Sequence, residues 1–421
     1  MKICLINPGI QKSSEAPPIN LGILASILEN EGHEVKIIDR LIGQDFEYIL
    51  NRFSPDICGL TGTTPVISDS YRCSDYCRKL GIFTIIGGKH SSILPEEALK
   101  HSDCVVVGEG EEVILDIIKN RKKGIIQGIP VKNLDDVPLP AYHLIDMKYY
   151  MSHIQRNPMS FASIAPAWYR LGCILTSRGC PFNCSFCHNS FRTLPYRFSS
   201  PSKVIDEIKL LKEKYKMNAL FFVEDNLFAN HKRIKEICHL LKEEKLYEEM
   251  VWGANARVDS INLDILNLVY QFNCKQVTFG WESGSQRILD ILNKRTTVEK
   301  NYESIDLCNK IGINASGTVM IGNPTEIEKD LELTKKFIES SYITGGIGIC
   351  ITTPYPGTKI WEWCKQTNRI PENFNWDNFD FHHVPIKMHN VEDKIFEKYY
   401  TDLVNIAINK FYETFQDRRS R

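Results

Sequence analysis

The chain has 421 residues, of which 51 are basic and 52 acidic, so its formal net charge is -1. A balance this even argues against a broad polyanion-binding surface, and we expect no nucleic-acid partner. Because the length exceeds the size at which a single hydrophobic core usually stops growing, at least two domains are expected.

The cysteines and the amino terminus bear on the cellular compartment. Fourteen cysteines lie mainly in predicted strands and helices, which is typical of reduced, buried thiols. The first residues begin directly as a strand without a signal-peptide layout, and no apolar run has the length of a membrane span. We therefore expect a cytoplasmic protein without a membrane partner.

The first third of the chain alternates strands with helices. Strand patterns cover 3–7, 34–39, 57–61, 83–87 and 104–107, and helical spacing covers 21–31, 46–53, 68–80 and 95–101. Repeated βα units predict a parallel sheet that binds ligands beyond the carboxyl ends of its strands. Small and hydroxyl residues follow those ends and permit close backbone approach to a ligand. We expect contacts at Asn7, Thr61, Thr63, Thr64, Gly87, Gly88, Lys89, His90, Gly108, Glu109 and Gly110.

A second βα series follows a Pro- and Asp-rich stretch at 134–140. Its predicted strands cover 173–177, 219–223, 251–255, 276–280, 315–321 and 346–352. Six units are too few for a closed eight-stranded barrel, so they predict an open, partial barrel. The predicted organisation is a first domain at 1–133, a linker at 134–170, the partial barrel at 171–370 and a helical, substrate-capping region at 371–421.

Three cysteines form the most informative motif. Cys180, Cys184 and Cys187 have C-x3-C-x2-C spacing in a Gly- and Pro-rich loop after a predicted strand. A four-iron cluster normally takes one thiolate per iron, so three ligands leave one iron open. An open iron can bind an amine and a carboxylate, as in S-adenosylmethionine (SAM) when it is cleaved to a radical. A zinc site completed by His188 and three unrelated buried thiols are the alternatives.

Polar side chains at other strand ends suit the parts of SAM. A carboxylate needs a cation or hydroxyl donors, and ribose hydroxyls need a carboxylate acceptor. We expect these contacts from Arg257, Glu282, Ser283 and Arg295. For each of them, a salt bridge or a helix cap at the barrel rim is the alternative.

The cysteine spacing resembles the signature of the radical SAM superfamily, whose fold is an open six-unit barrel. In the first domain, Pro18-x-x-Leu21-Gly22, Gly87-Gly88-x-His90 and Val107-Gly108-Glu109-Gly110 resemble motifs of cobalamin-binding radical SAM proteins. The resemblance implies a Rossmann-like, flavodoxin-type domain that holds cobalamin, with Leu21 and Gly22 among its contacts. It also places Phe186 against the adenine of SAM.

One signature of other cobalamin proteins is absent. The first strand is followed by Pro8-Gly9-Ile10-Gln11 and not by Asp-x-His-x-x-Gly, which supplies an axial histidine. The resemblance therefore implies base-off cobalamin without a protein histidine. The alternative is a flavodoxin-like scaffold that binds no corrinoid.

The resemblance implies a cobalamin-dependent radical SAM methyltransferase with a [4Fe-4S] cluster, SAM and cobalamin. Its substrate would be a small molecule, methylated at an unactivated carbon or at phosphorus by way of a 5′-deoxyadenosyl radical. An external donor such as a flavodoxin or ferredoxin would supply electrons. The alternatives are a non-methylating cyclisation, oxidation or rearrangement, a methylthiotransferase acting on tRNA, and a non-catalytic corrinoid or electron-transfer protein. No catalytic side chain is predicted.

Overall fold

The structure, a computed structural model, describes residues 1–9, 16–153, 169–188, 195–372 and 374–419. The chain forms two compact units, the first comprising Met1–Tyr150 with Asn373–Asp380, and the second Met151–Glu372 with Phe381–Arg421. Within the described ranges, no helix combines the length and apolarity needed to cross a membrane.

A six-stranded parallel sheet forms the first unit. Its strands are β1 (Lys2–Asn7), β2 (Glu34–Asp39), β3 (Ile57–Thr61), β4 (Phe83–Gly87), β5 (Cys104–Val107) and β6 (Gly124–Gln127). Their spatial order is β2-β1-β3-β4-β5-β6, which is flavodoxin-like. The helices are α1 (Ile19–Asn30), α2 (Phe46–Phe53), α3 (Ile67–Lys79), α4 (Lys89–Ile93), α5 (Pro95–Leu99), α6 (Ile114–Asn120) and α7 (Met147–His153).

The order of the strands fixes where this sheet opens. From β1 the chain crosses to β2 on one side and from β2 to β3 on the other, so the direction of winding reverses at β1. Helices on opposite faces separate at such a point and leave a crevice beyond the carboxyl ends of the strands. Strands β2 to β5 have the predicted bounds, whereas β6 and α6 were not predicted.

The second unit contains a parallel sheet of six strands in the order β14-β13-β12-β11-β10-β7. These strands are β7 (Leu171–Ile174), β10 (Ala219–Phe222), β11 (Val251–Ala256), β12 (Cys274–Glu282), β13 (Asn314–Ile321) and β14 (Ile347–Ile351). A separate antiparallel ribbon pairs β8 (Ser177–Arg178) with β9 (Arg197–Phe198). This curled sheet, open between β7 and β14 among the described residues, confirms the predicted partial barrel.

Helices alternate with these strands, as right-handed βα crossovers require. They are α8 (Pro201–Tyr215), α9 (His231–Glu243), α10 (Leu263–Gln271), α11 (Gln286–Ile291), α12 (Val298–Ile311), α13 (Glu328–Ser340), α14 (Lys359–Gln366) and α15 (Asp393–Arg419). The strand predicted at 173–177 was misplaced, because β7 ends at Ile174. Instead of continuing the ladder, Thr176 donates its backbone N–H and its hydroxyl to Glu224 at 2.9 and 2.6 Å.

A short carboxyl-terminal segment returns to the first unit. Within Asn373–Asp380, Trp376 packs on the hydrophobic core that α3 and β4 share, and Phe379 is fully buried. These aromatic residues thus contribute to the first unit, while the capping of substrate by the rest of 371–421 stays a prediction. Residues 154–168 of the predicted linker lie outside the described residues.

Candidate active site

The loop with the three cysteines follows β8 and is tied to two other loops of the barrel. Ser185 donates its N–H to Leu292 O at 2.8 Å and accepts at its carbonyl the N–H of Ile360 at 3.2 Å. Asn293 donates its amide to Asn183 O at 2.5 Å. These bonds fix the loop against the turn after α11 and the start of α14.

The three thiols form no disulfide, and Cys184 is buried while Cys180 and Cys187 are partly exposed. Burial raises the pKa of the Cys180 thiol. Three thiols in one anchored loop are a suitable donor set for an iron–sulfur cluster. Among the described residues, however, the structure gathers no set of three such side chains closely enough to hold a metal ion, so cluster binding by these cysteines stays a prediction from their type and spacing.

Arg257, which follows β11, supports the cysteine loop and is 5% exposed. Its guanidinium donates to both carboxylate oxygens of Asp259 at 2.9 Å and to Lys294 O at 2.6 Å. Its remaining Nη1 lies 3.5 Å from Cys184 Sγ, and the guanidinium carbon lies 3.7 Å from the centre of the Phe182 ring. With these contacts Arg257 holds the loop, and its charge faces a cysteine sulfur.

Glu282 ends β12 and forms a buried ion pair with Lys294. The two side chains are each 6% exposed, with Lys294 Nζ 2.5 Å from Glu282 Oε1. Glu282 has a φ of 61°, and the ladder to β13 is irregular between Gly280 and Glu282, so the carboxylate turns back over the strand. Gly280 leaves room for this turn, since a Cβ there would overlap Glu282 Oε1 and lie 2.9 Å from Lys294 Nζ.

The Glu282–Lys294 pair is close to the cysteine loop. Lys294 Nζ lies 5.7 Å from the centre of the Phe186 ring, and Phe186 directly precedes Cys187. An acidic group, a cationic group and an aromatic ring thus meet beside the cysteines. Ribose hydroxyls, a carboxylate and adenine need groups of these three kinds, and the binding of SAM by these residues stays a prediction.

Two other predicted SAM residues are placed differently. The Ser283 hydroxyl is fully buried, 3.0 Å from Thr334 Oγ1, and it accepts the N–H of Ser285 at 3.1 Å. Arg295 is exposed, with its Nε 3.3 Å from Asn293 Oδ1. In this structure Ser283 shapes the turn after β12, and Lys294 occupies the position near Glu282 that sequence reasoning gave to Arg295.

Two further carboxylates at strand ends are engaged inside the barrel. Glu224 after β10 binds Thr176 and lies 3.3 Å from Arg233 Nη1, in a pair whose side chains are 0% and 2% exposed. Glu326, beyond β13, accepts N–H groups from Gly322 and from Asn323, the latter at 3.0 Å. Burial raises the pKa of Glu326 to about 7, although these donors oppose the shift.

In the first unit, several predicted ligand residues meet beyond β3 and β4. His90 Nδ1 lies 3.1 Å from Thr64 Oγ1, and the backbone N–H of His90 donates to Gly62 O at 3.3 Å. Gly88 has a φ of 103°, and a Cβ there would lie 2.8 Å from Thr61 Oγ1. Thr63, Lys89 and Gly108 are exposed at the same ends of the strands, beside partly buried Gly87 and Gly110.

The remaining predicted residues of this unit have protein partners. Asn7 donates to Asp39 Oδ1 at 2.9 Å, and Glu109 accepts the N–H of Val131 at 2.9 Å. Leu21 is buried, and a Cβ at Gly22 would lie 3.0 Å from Pro140 Cβ. Leu21 and Gly22 therefore lie within the packing of α1.

Sequence reasoning missed Lys294, Asp259, Arg233 and Trp376. For Lys294 the available signal was its position next to Arg295 in a basic pair after α11. The other three lie on connections and helices whose approach to the site depends on the tertiary fold. No local pattern indicates them.

Comparisons with known proteins agree with this geometry. Residues 174–338 match the family model of the Radical SAM superfamily, and residues 11–118 match that of the B12 binding domain. An uncharacterized methyltransferase of Pyrococcus horikoshii is 32% identical, over 90% of this chain and 86% of the relative. The anaerobic magnesium-protoporphyrin IX monomethyl ester cyclase of Rubrivivax gelatinosus is 26% identical, over 90% of this chain and 72% of the relative.

A solved structure has the same fold. The radical SAM methyltransferase TsrM from Kitasatospora setae superposes with a TM-score of 0.70 at 17% identity, covering 88% of this chain and 77% of TsrM. Both domain types and their order along the chain agree with these relatives, which are named as methyltransferases and as a cyclase. The chain belongs to the B12-binding radical SAM family and is a methyltransferase-type enzyme that uses a [4Fe-4S] cluster, SAM and cobalamin.

Proposed function

We propose that this enzyme methylates an unactivated carbon, or a phosphorus, of a small molecule, with SAM bound between the cysteine loop and the end of β12. The observation that carries the proposal is the meeting of Phe186, Glu282 and Lys294 beside Cys187. A cluster held by the three cysteines would supply an open iron and an electron, and cobalamin would supply the methyl group.

The side chains of the barrel have distinct tasks in this proposal. Lys294 offers a cation to the carboxylate of SAM, while Glu282 accepts from the ribose hydroxyls. Phe186 gives an apolar surface to the adenine ring. Arg257 keeps the loop in place and faces Cys184, so it influences the cluster without touching SAM in this structure.

Cobalamin is assigned to the crevice beyond β1, β3 and β4 of the first unit. Both ring nitrogens of His90 are near protein groups, Thr64 Oγ1 at 3.1 Å and Glu97 Oε1 at 3.4 Å. His90 is therefore not placed to serve as an axial ligand. We expect bound cobalamin to have a base-off spectrum that the substitution His90→Gln leaves unchanged.

The domain bounds and the partners complete the proposal. Residues 1–133 form the cobalamin-binding domain and residues 171–370 the SAM domain, which is supported by the family matches at 11–118 and 174–338. A flavodoxin or ferredoxin of the cytoplasm would supply the electrons.

One experiment tests the reaction type. The reconstituted protein is incubated anaerobically with SAM, dithionite, hydroxocobalamin and a panel of candidate small molecules, with Cys184→Ala as the control. Methylation predicts S-adenosylhomocysteine and 5′-deoxyadenosine together with a product heavier by one methyl group. If the parent protein forms no product from SAM, either with each candidate molecule or without any of them, the result counts against the proposal.

A non-methylating radical reaction is the second candidate. It is supported by the similarity to the cyclase of Rubrivivax gelatinosus. Such a reaction needs 5′-deoxyadenosine but not S-adenosylhomocysteine. The ratio of the two nucleosides in the same incubation therefore distinguishes the candidates.

A further inference from the structure

Glu97 in α5 of the first unit is the acceptor at the centre of a small polar network. Its Oε1 lies 3.1 Å from the Tyr71 hydroxyl, 3.0 Å from Trp376 Nε1 and 3.4 Å from His90 Nε2. The Tyr71 hydroxyl and the Trp376 indole N–H donate to this carboxylate, and His90 Nε2 lies within reach of it. Trp376 comes from 279 residues further along the chain than Glu97.

The network acts on the loops that follow β3 and β4. His90 Nε2 faces Glu97, and His90 Nδ1 lies 3.1 Å from the Thr64 hydroxyl oxygen. The backbone of His90 also binds Gly62 O. Gly88 lies so close to the other loop that a Cβ would be 2.9 Å from Gly62 N. The two loops therefore form one joined edge, and His90 is its buried connection.

Aromatic packing fixes Trp376 against this connection. Its ring is edge-on to His90 with centroids 4.8 Å apart, and it contacts Phe374 and Phe379 at 4.6 and 5.1 Å. Phe379 is fully buried. We call residues 374–380 the aromatic strap. Without it, His90 would lose an aromatic neighbour and Glu97 would lose one of its three partners.

We propose that Trp376 is a positioning residue for cobalamin, acting through Glu97 and His90 on the loops after β3 and β4. This inference rests on the proposed cobalamin site at those loops. The aromatic strap keeps the joined edge in the arrangement that receives the corrinoid. Ordering of the strap and binding of cobalamin are then coupled, and such coupling is reciprocal. Bound cobalamin should therefore stabilise the strap.

The test compares Trp376→Phe with the matched control Trp363→Phe in the reconstituted full chain. Trp363 also lies in the carboxyl-terminal third, in α14, with the Arg369 guanidinium 5.0 Å from its ring. We expect Trp376→Phe to raise the Kd for hydroxocobalamin at least fivefold in equilibrium dialysis. Trp363→Phe should stay within twofold of the parent, and both should keep parental iron content and SAM affinity.

Two further measurements separate positioning from a general loss of stability. Glu97→Gln keeps an oxygen acceptor and should bind cobalamin within threefold of the parent, whereas Glu97→Leu should lose at least tenfold. Hydroxocobalamin should slow amide hydrogen exchange in the peptide that covers the aromatic strap of the parent, and less so in Trp376→Phe. If Trp376→Phe fails to fold, the cobalamin affinities of the two Glu97 variants and the amide hydrogen exchange of the parent still test the inference.

The outcomes are distinguishable. Suppose that the parent binds cobalamin, that Trp376→Phe and Glu97→Leu bind it equally well, and that cobalamin does not alter amide hydrogen exchange in the strap. The inference about Trp376 is then refuted, while the proposed function stands. If the parent does not bind cobalamin, the proposed function fails and this inference fails with it.

Discussion

The substitution Lys294→Ala should weaken SAM binding severely, whereas Arg295→Ala should leave it unchanged. The two residues are adjacent in sequence and equal in charge, but only Lys294 is buried, 6% exposed and paired with Glu282. Arg295 is exposed and contacts Asn293. The pair of variants thus compares one cationic charge in the site with one at the surface.

The magnitude follows from the burial of the pair. In the proposed site Lys294 pairs with the SAM carboxylate, and removing one charged partner of a desolvated ligand group costs about 2–5 kcal/mol, which corresponds to a Kd raised about 30-fold to 4,000-fold. Loss of Lys294 also leaves Glu282 without its cation, so the free energy of unfolding should fall by about 3–5 kcal/mol. The exposed Arg295 should contribute less than about 1 kcal/mol to either quantity.

The assay is anaerobic equilibrium dialysis of SAM against reconstituted protein, with iron content measured on the same samples. Lys294→Gln serves as a milder variant, because its amide can still donate to Glu282 and preserve folding. Parental SAM affinity in Lys294→Ala, or a large loss in Arg295→Ala, would refute the assignment of these two residues.

Three other predictions follow from the site. Alanine at any one of the three cysteines should lower iron content and abolish SAM cleavage under dithionite, whereas Cys364→Ala, at a buried thiol of α14, should retain both. Arg257→Met removes a positive charge 3.5 Å from Cys184 Sγ, so the cluster potential measured by redox titration should become more negative; a more positive potential would contradict this. Glu326 has a pKa of about 7 in the folded state, above its ordinary value of 4.5. Between those values the unfolded chain binds fewer protons, so stability should fall by about 3 kcal/mol as the pH rises through this window, and denaturant unfolding of Glu326→Gln should lack that fall.

Regular parts of the fold could be predicted because their patterns are local. Strands β3 to β5 are short, mainly apolar runs, whereas β2 begins with alternating polar and apolar residues, and the predicted bounds of all four agree with the structure. Helix α4 was missed because Gly87 and Gly88 precede it and suggested a loop. Gly88 has a φ of 103° and stands immediately before the helix, so the glycines mark its beginning.

Side-chain partners at the site could be predicted only in part. The spacing of the cysteines follows from cluster chemistry, which needs nothing but local sequence. The choice between Lys294 and Arg295 depends on the turn after α11, where Asn293 and Arg295 have φ values of 50° and 53°. The backbone of this turn directs Lys294, and not Arg295, into the barrel. Amino-acid composition does not specify the conformation of such a turn.

The strand-end carboxylates show how the structure distinguishes polar groups that look alike in sequence. Glu224, Glu282 and Glu326 each lie at or beyond the carboxyl end of a strand of the same barrel, and all three are buried. Glu224 accepts a hydrogen bond from Thr176 and pairs with Arg233, and Glu326 accepts hydrogen bonds from backbone N–H groups of its own loop. Glu282 differs in that its partner, Lys294, also lies beside Phe186 of the cysteine loop. A ligand with a carboxylate and hydroxyl groups can therefore share both members of this pair, whereas the other two carboxylates would first have to give up bonds that hold their loops.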